Sequence, residues 1–420
     1  MNSSSRKTRL ACLMAAVLTL AGCSETATTG GSPDNAATTT TIDDSIGASF
    51  SGGSAGAATG GKTIKVGLIN QEGGTVSDPE VSAAIQAAFS YVNEKQSGIK
   101  GATLQLEVCK IGSSEEEAQQ CAQRFLNDPS ISVVMQGGLN VGTQAVHQTI
   151  NGKKPTLVTL ANPGTDTTAA GTYTLNPNVL ASIPGMLTYV KSKGYKNLVV
   201  VSSDDPGDLQ IAQYAKQTYE AAGLHVTNLT FPQSSTDLTS TFTSAVNQKA
   251  DAIMPLVATT SGCTAAALAL QQLGASTPII GTSLCATDDL HKTLGDFPKW
   301  SFEANTLLQY ADDPTGQMSF YKAVMAKYAP GSQIGIGAPA AFGAAFALAK
   351  VLNTIGPDAV TPDSVAKGLA GYTDGVLLGT PKVKFGSVEG SPALSGIADR
   401  FYTYEGNDHW TATDWANLPR

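Results

Sequence analysis

Thr63-Ile64-Lys65-Val66-Gly67-Leu68-Ile69, the amphipathic stretch 79–96 and Leu104-Gln105-Leu106-Glu107-Val108-Cys109 read in succession as strand, helix and strand. The two short apolar runs are bounded by turn residues, whereas the segment between them repeats its apolar positions every three to four residues. The same alternation continues along the chain. Further apolar runs stand at 132–136, 156–160, 198–202, 224–230, 251–256 and 278–281, and helical patterns at 114–127, 141–151, 179–193, 207–222, 236–248 and 262–273 separate them. Such alternation predicts parallel sheets covered on both faces by helices, an α/β architecture. Helix-start chemistry agrees: Ser114 with Glu117 three residues on reads as a capping box, and Asp78-Pro79 as an N-cap with proline at the first helical position.

The chain has 420 residues, of which 42% are apolar, enough for two domains that each bury a core. The strand count breaks near Asn176-Pro177-Asn178, and a new helix opens a second run that lasts to about 309; helices without intervening strands then follow at 314–329, 337–355 and 361–370. The expected division is a first lobe of 62–178 and 310–392 and a second of 179–309 and 393–420, two doubly wound parallel-sheet lobes joined by several crossovers that form a hinge. Charged residues make up 14% of the chain, the net charge is −8 and no basic run follows Arg9, which argues against nucleic acid as a partner.

The N-terminus reads as a processing signal. Arg6, Lys7 and Arg9 form a positive region, and Leu10 to Leu20 an apolar core too short to span a bilayer. It ends in Leu20-Ala21-Gly22-Cys23, which resembles the bacterial lipobox, so residues 1–23 are expected to be a lipoprotein signal with Cys23 as the lipid anchor. No later segment is expected to reach the ~18 to 20 apolar residues of a membrane span. Residues 24–61, rich in Ser, Thr, Gly and Ala, are expected to form a disordered tether. Within it, Gly56 to Thr63 satisfies the phosphate-loop pattern, but low-complexity sequence precedes the match and a strand follows it, the reverse of what phosphate binding needs.

Apart from Cys12 and Cys23, four cysteines remain in an oxidising compartment and read as disulfides. Their spacing suggests Cys109 with Cys121 and Cys263 with Cys285; the other two connectivities stay open. With no C-x-x-C and with His147, His225, His291 and His409 scattered, neither a metal nor a cofactor is expected. Ser97-Gly98-Ile99-Lys100 and Ser364-Val365-Ala366-Lys367 match S-x-x-K but lack the companion motifs of penicillin-binding chemistry, and no G-x-S-x-G elbow is present, so no enzyme is expected.

Several pieces in order resemble the type I periplasmic binding fold, in the branch that includes branched-chain amino acid and related amide or aromatic-acid binders. They are the opening strand 64–69, Ala87-Ala88-Phe89-Ser90-Tyr91-Val92-Asn93 with the turn at 98–101, the strand, glycine loop and helix start of Val133 to Thr143, Lys154-Pro155-Thr156-Leu157-Val158, and Gly194 to Val201. The resemblance covers roughly 62–410 and implies a lipid-anchored binder, monomeric, that delivers a small solute to an ABC permease at the outer face of the cell membrane. Presentation of the solute to a receptor is the alternative use, and a secreted hydrolase a more remote one.

The resemblance also places the ligand in a cleft between the lobes, in line with the rule that open parallel sheets bind at the carboxyl ends of their strands. In the first lobe Gly138, Asn140 and Gly142 fall where relatives take a carboxylate, with Asn140 at a serine position, and Leu160 and Asn162 fall where relatives offer a carbonyl and a hydroxyl. In the second lobe the candidates are Asp205, Thr259 and Ser283. Ser283 stands where amino-acid binders place a glutamate for the ammonium; Asp205 or Glu72 is the available substitute, since a buried ammonium without a carboxylate is costly. Asn140 and Asn162 also suit loop or cap positions, and Asp204-Asp205-Pro206 a helix N-terminus. Phe342 and Phe346, at helical spacing, read as core.

Overall fold

The computed structural model describes residues 42–417 apart from 75–76, 163, 177–178, 258, 336 and 397, together with the backbone but not the side chains of 179–181. The expected signal over 1–23, including Cys23, lies outside these residues, as do residues 24–41 of the expected tether.

The chain enters through α1 (Asp44–Ser51) and builds β1 (Thr63–Gln71), α2 (Pro79–Lys95), β2 (Thr103–Ile111), α3 (Glu115–Asn127), β3 (Ile131–Gln136), α4 (Thr143–Ile150), β4 (Thr156–Val158), α5 (Thr165–Thr168) and β5 (Thr172–Thr174). These five strands pair in parallel in the order β2-β1-β3-β4-β5. There follow α6 (Val179–Ser192), β6 (Asn197–Ser203), α7 (Pro206–Ala221), β7 (His225–Phe231), α8 (Thr239–Asn247), β8 (Ala252–Leu256), α9 (Thr260–Gln272), β9 (Ile280–Thr282), α10 (Asp288–Leu294) and β10 (Ser301–Ala304). The chain ends with α11 (Gln317–Tyr328), α12 (Ala338–Ile355), α13 (Pro362–Ala370), β11 (Arg400–Gly406) and β12 (His409–Ala412).

Beyond the first sheet, β7-β6-β8 are parallel, and β12-β11-β10-β9 form a mixed group in which β11 runs antiparallel to both neighbours. A single bridge from Ile253 to Ile279 links the two groups. The antiparallel β11–β12 hairpin departs from the expected all-parallel second lobe. A strand can return beside its neighbour through a short turn, here at Asn407-Asp408, where both residues take positive φ.

Four sets of buried side chains accompany the sheets, two of them large. Val66, Leu68, Val133 and Leu157 of the first sheet pack with α2, α11, α12 and α13, so the late helices return to the first sheet. Val199, Val201, Ile253, Phe302, Tyr402 and Trp410 pack separately with α8 and α9. Phe342 and Phe346 are fully buried with rings 4.9 Å apart, as core residues should be. The helix α12 corrects one expectation: Ala338–Ile355 is long and apolar enough to span a bilayer, yet 83% of it is buried against the first sheet and its helices.

A second correction concerns 24–61, for Asp44–Ser51 within it forms α1. Asp43 caps this helix at Ser45, and its Ile46 and Phe50 pack on the first core. A Cβ at Gly47 would stand 2.3 Å from the Tyr91 hydroxyl, so a glycine is what lets the helix seat. Tyr91 donates to Asp44 at 2.8 Å and Asn353 to the Ser51 carbonyl at 3.0 Å. Three or four apolar contacts escape a composition-based reading of a Ser/Gly-rich segment, because composition averages them away.

Both suggested disulfides are closed, Cys109–Cys121 tying β2 to α3 and Cys263–Cys285 tying α9 to the turn after β9.

Candidate functional site

At the carboxyl end of the first sheet, β3 delivers the Gly137–Gly142 loop and β4 the loop beginning at Thr159. Two polar groups hold them, one fully buried and one half-buried. Asp166, fully buried, accepts from the Asn162 amide at 2.6 Å and from Gln136 Nε2 at 2.9 Å, and lies 2.5 Å from His147 Nε2. Asn162 in turn donates its side-chain amide to the Leu139 carbonyl and, at 2.9 Å, to the Thr143 hydroxyl. Asn162 is therefore a clasp between the two loops, its donors spent within the protein. Asn140 is exposed, and its backbone N–H donates to Gln71 Oε1 at 2.9 Å.

The glycines are required by space. A Cβ at Gly137 would lie 2.0 Å from Asn70 Oδ1, and one at Gly138 would lie 2.5 Å from Asp78 Oδ2 and 3.3 Å from Leu160 Cδ1. Gly142 combines φ of 81° with a contact of 2.3 Å to Ala118 Cβ. Asp78 precedes α2 as expected, but its side chain makes no cap bond; the carboxylate lies over Gly138 instead, and burial pushes its pKa up. Ser114 does cap α3 through Glu116 and Glu117 N–H, while Glu117 reaches Gly112 N at 2.8 Å rather than closing the box.

On the second sheet, Asp205 caps α7 by accepting from Gly207 N at 2.9 Å, and Thr259 caps α9 by accepting from Gly262 N at 3.1 Å. Glu72 is engaged as well. Burial pushes its carboxyl up, but the Lys110 ammonium at 2.7 Å with the Ser82 hydroxyl and the Asn70 amide outweighs that and leaves it below the usual range. Neither substitute for the missing acidic residue is open to a ligand without giving up these bonds.

Two cavities open at the strand ends. One, about 160 Å³, is lined by Leu160 from the first sheet, Ser283 and Leu284 from the turn after β9, Thr306 to Gln309, and Gly335, Gly337 and Pro339 at the start of α12. It brings two candidates, Leu160 and Ser283, to one space. The second, about 260 Å³, shares Ser283 and Leu284 and lies against the ends of β8, β9 and β10. Ile211, Leu256 and Val257 give it an apolar wall, and Ser182, Asp208, Glu303 and Asn305 line its polar side. Glu303 escaped the sequence reading because Ser301–Ala304 is a four-residue strand with no alternation to mark it. A larger hollow of about 660 Å³ lies at the opposite, amino ends of β9 and β10, beside Pro278 and Trp300. Helix N-termini do not converge there, so the smaller pair is the better candidate.

Comparison with curated proteins finds no match. A family model described as periplasmic binding protein matches residues 63–391. Among solved structures, an ABC transporter substrate-binding protein from Sphaerobacter thermophilus is similar, with a TM-score of 0.71 at 16% identity over 85% of this chain and 99% of that one. A substrate-binding protein from Desulfitobacterium hafniense in complex with Leu gives 0.64 at 17% identity, over 84% and 100%. A solute binding protein from Rhodopseudomonas palustris HaA2 in complex with p-hydroxybenzoic acid gives 0.66 at 16% identity, over 86% and 98%. With the family model spanning most of the folded body and the type I fold repeated in each of these structures, the chain belongs to the periplasmic binding protein family, whose members bind solutes without turning them over.

Proposed function

We propose that this protein is the lipid-anchored, extracytoplasmic solute-binding component of an ABC importer and captures a small polar or carboxylate-bearing solute between its two lobes. The observation that carries the reading is the pair of adjoining cavities at the carboxyl ends of strands from both sheets, with Leu160 and Gly337 on one side and Ser283 and Leu284 on the other. Apolar walls with a few convergent polar groups suit a solute of amino-acid or aromatic-acid size. That range includes the leucine and p-hydroxybenzoate carried by two similar structures. The permease partner follows from the family, and the anchor from Cys23 behind its apolar signal.

The test is a melting-temperature screen of amino acids, amides and aromatic acids, since a solute that binds only the folded state raises the midpoint in proportion to the logarithm of its concentration. A hit whose gain disappears in Ser283→Trp, which fills the shared wall of both cavities, supports the reading. A hit unaffected by that substitution moves the site elsewhere. For the anchor, Cys23→Ser should release the protein from the membrane fraction; retention there would remove that part of the proposal.

A further inference from the structure

Glu303 and Asp399 form a buried acidic pair at the floor of the 260 Å³ cavity. Glu303 is 4% exposed and lines the cavity, and Asp399 behind it is fully buried. Among the described residues no lysine, arginine or histidine pairs with either. Glu303 Oε1 and both Asp399 oxygens meet no donor, and the nearby Tyr219 hydroxyl is also without a partner. The Ser182 hydroxyl, beside both carboxylates, cannot satisfy four oxygens. The remaining acid of the cavity wall, Asp208, accepts from Ser203 at 2.6 Å and adds no positive charge.

This arrangement is built rather than incidental. Asp399 reaches the backbone of α6 at Gly185, where a Cβ would stand 1.5 Å from Asp399 Oδ2. A glycine next to Pro184 inside a helix weakens that helix, so the approach of the carboxylate is maintained against local propensity. Two carboxylates in a cavity floor without a counter-charge need either a proton or a cation. Burial raises both carboxyls, which favours a proton on the pair when no cation is present.

Resting on the solute-binding reading above, we propose that Glu303, backed by Asp399, is the seat for a protonated amine on the captured solute. The amine would lie against the orphaned Glu303 oxygen and supply the positive charge the pair lacks, and Ile211, Leu256, Val257 and Leu284 would cover its apolar body. The ammonium partner absent at Ser283 is thereby supplied from the neighbouring strand β10, whose Glu303 stands in register with Thr282 of β9.

The test is isothermal titration of the full chain in detergent with two matched sets: leucine, 3-methylbutylamine and 4-methylpentanoate; phenylalanine, 2-phenylethylamine and 3-phenylpropanoate. In at least one set the amine-bearing members should bind tenfold or more tighter than the acid that lacks the amine. Glu303→Gln should weaken them roughly thirtyfold or more, as loss of one partner of a buried charge pair does, and leave the acid unchanged. The comparison within wild-type protein stands even if that variant does not fold. Acids binding as well as or better than their amine-bearing partners would overturn the amine seat and leave solute binding intact. No heat and no melting shift with any of the six would overturn the seat and count against the solute-binding reading as well.

Discussion

At the scale of single residues, the first sheet's loops hang on Asp166. Removing its carboxylate in Asp166→Ala leaves Gln136, His147 and the Asn162 amide without their partner, and the expected cost is about 3 kcal/mol in urea unfolding. Gly137→Ala should also destabilise, by about 1–3 kcal/mol, because Asn70 is itself held by the Asp78 carbonyl and cannot retreat from the new methyl. The acidic pair sets a pH dependence of definite sign. Burial, and for Asp399 the charge of Glu303, raise both folded pKa values. The folded protein then keeps a proton that the unfolded chain releases above about pH 4. The pair's contribution is therefore fully present at lower pH and is lost as pH rises through the raised values. Asp399→Asn removes the Asp399 share of this dependence, so its stability relative to wild type should climb between pH 4 and pH 8; a flat difference across that range would contradict the shift. None of this was readable beforehand. Apart from the Asn162 amide four residues before Asp166, the partners of Asp166, His147, Glu303 and Asp399 lie about twenty residues or more away, and the sequence alone carries no mark of that proximity.

At the scale of elements, helix starts divide structural from binding roles. Thr259 and Asp205 were candidate ligand groups, and their side chains close the N-termini of α9 and α7. Thr259→Ala should cost about 1 kcal/mol of stability, as cap losses do, while solute affinity in titration stays within twofold. A large affinity loss would return Thr259 to the binding site. The Cys263–Cys285 bridge closes 22 residues between α9 and the turn that bears Ser283. Replacing both cysteines by serine should lower stability by about 3 kcal/mol. Both pairings were suggested by spacing, since cysteines 12 and 22 residues apart on adjacent strand and helix segments can meet without long-range information. The strands β10, β11 and β12 were missed for the opposite reason: β10 and β12 have four residues each and β11 shows no clean alternation, so pairing with a neighbour, not periodicity, makes them strands.

At the scale of the whole molecule, α1 fastens the N-terminal segment to the first sheet's helices. A chain starting at residue 62 should be less stable than one starting at 42, by roughly 2–3 kcal/mol if the bonds of Tyr91 to Asp44, Lys350 to Ser49 and Asn353 to Ser51 contribute about 1 kcal/mol each. Equal midpoints would show that α1 rests on the body without supporting it.

What the amino-acid order determined was the α/β class, most of the strands and helices between Thr63 and Thr282, the return of the late helices and the local disulfides. Each is set by interactions over a few residues or by a hydrophobic period that repeats. What tertiary structure decided was which polar groups remain available. Asn162, Asp205, Thr259 and Glu72 are spent on backbone and side-chain partners, whereas Glu303 and Asp399 are buried with oxygens unmatched. A side chain's chemistry is written in the sequence, but its desolvation and its partners are fixed only when distant segments pack together.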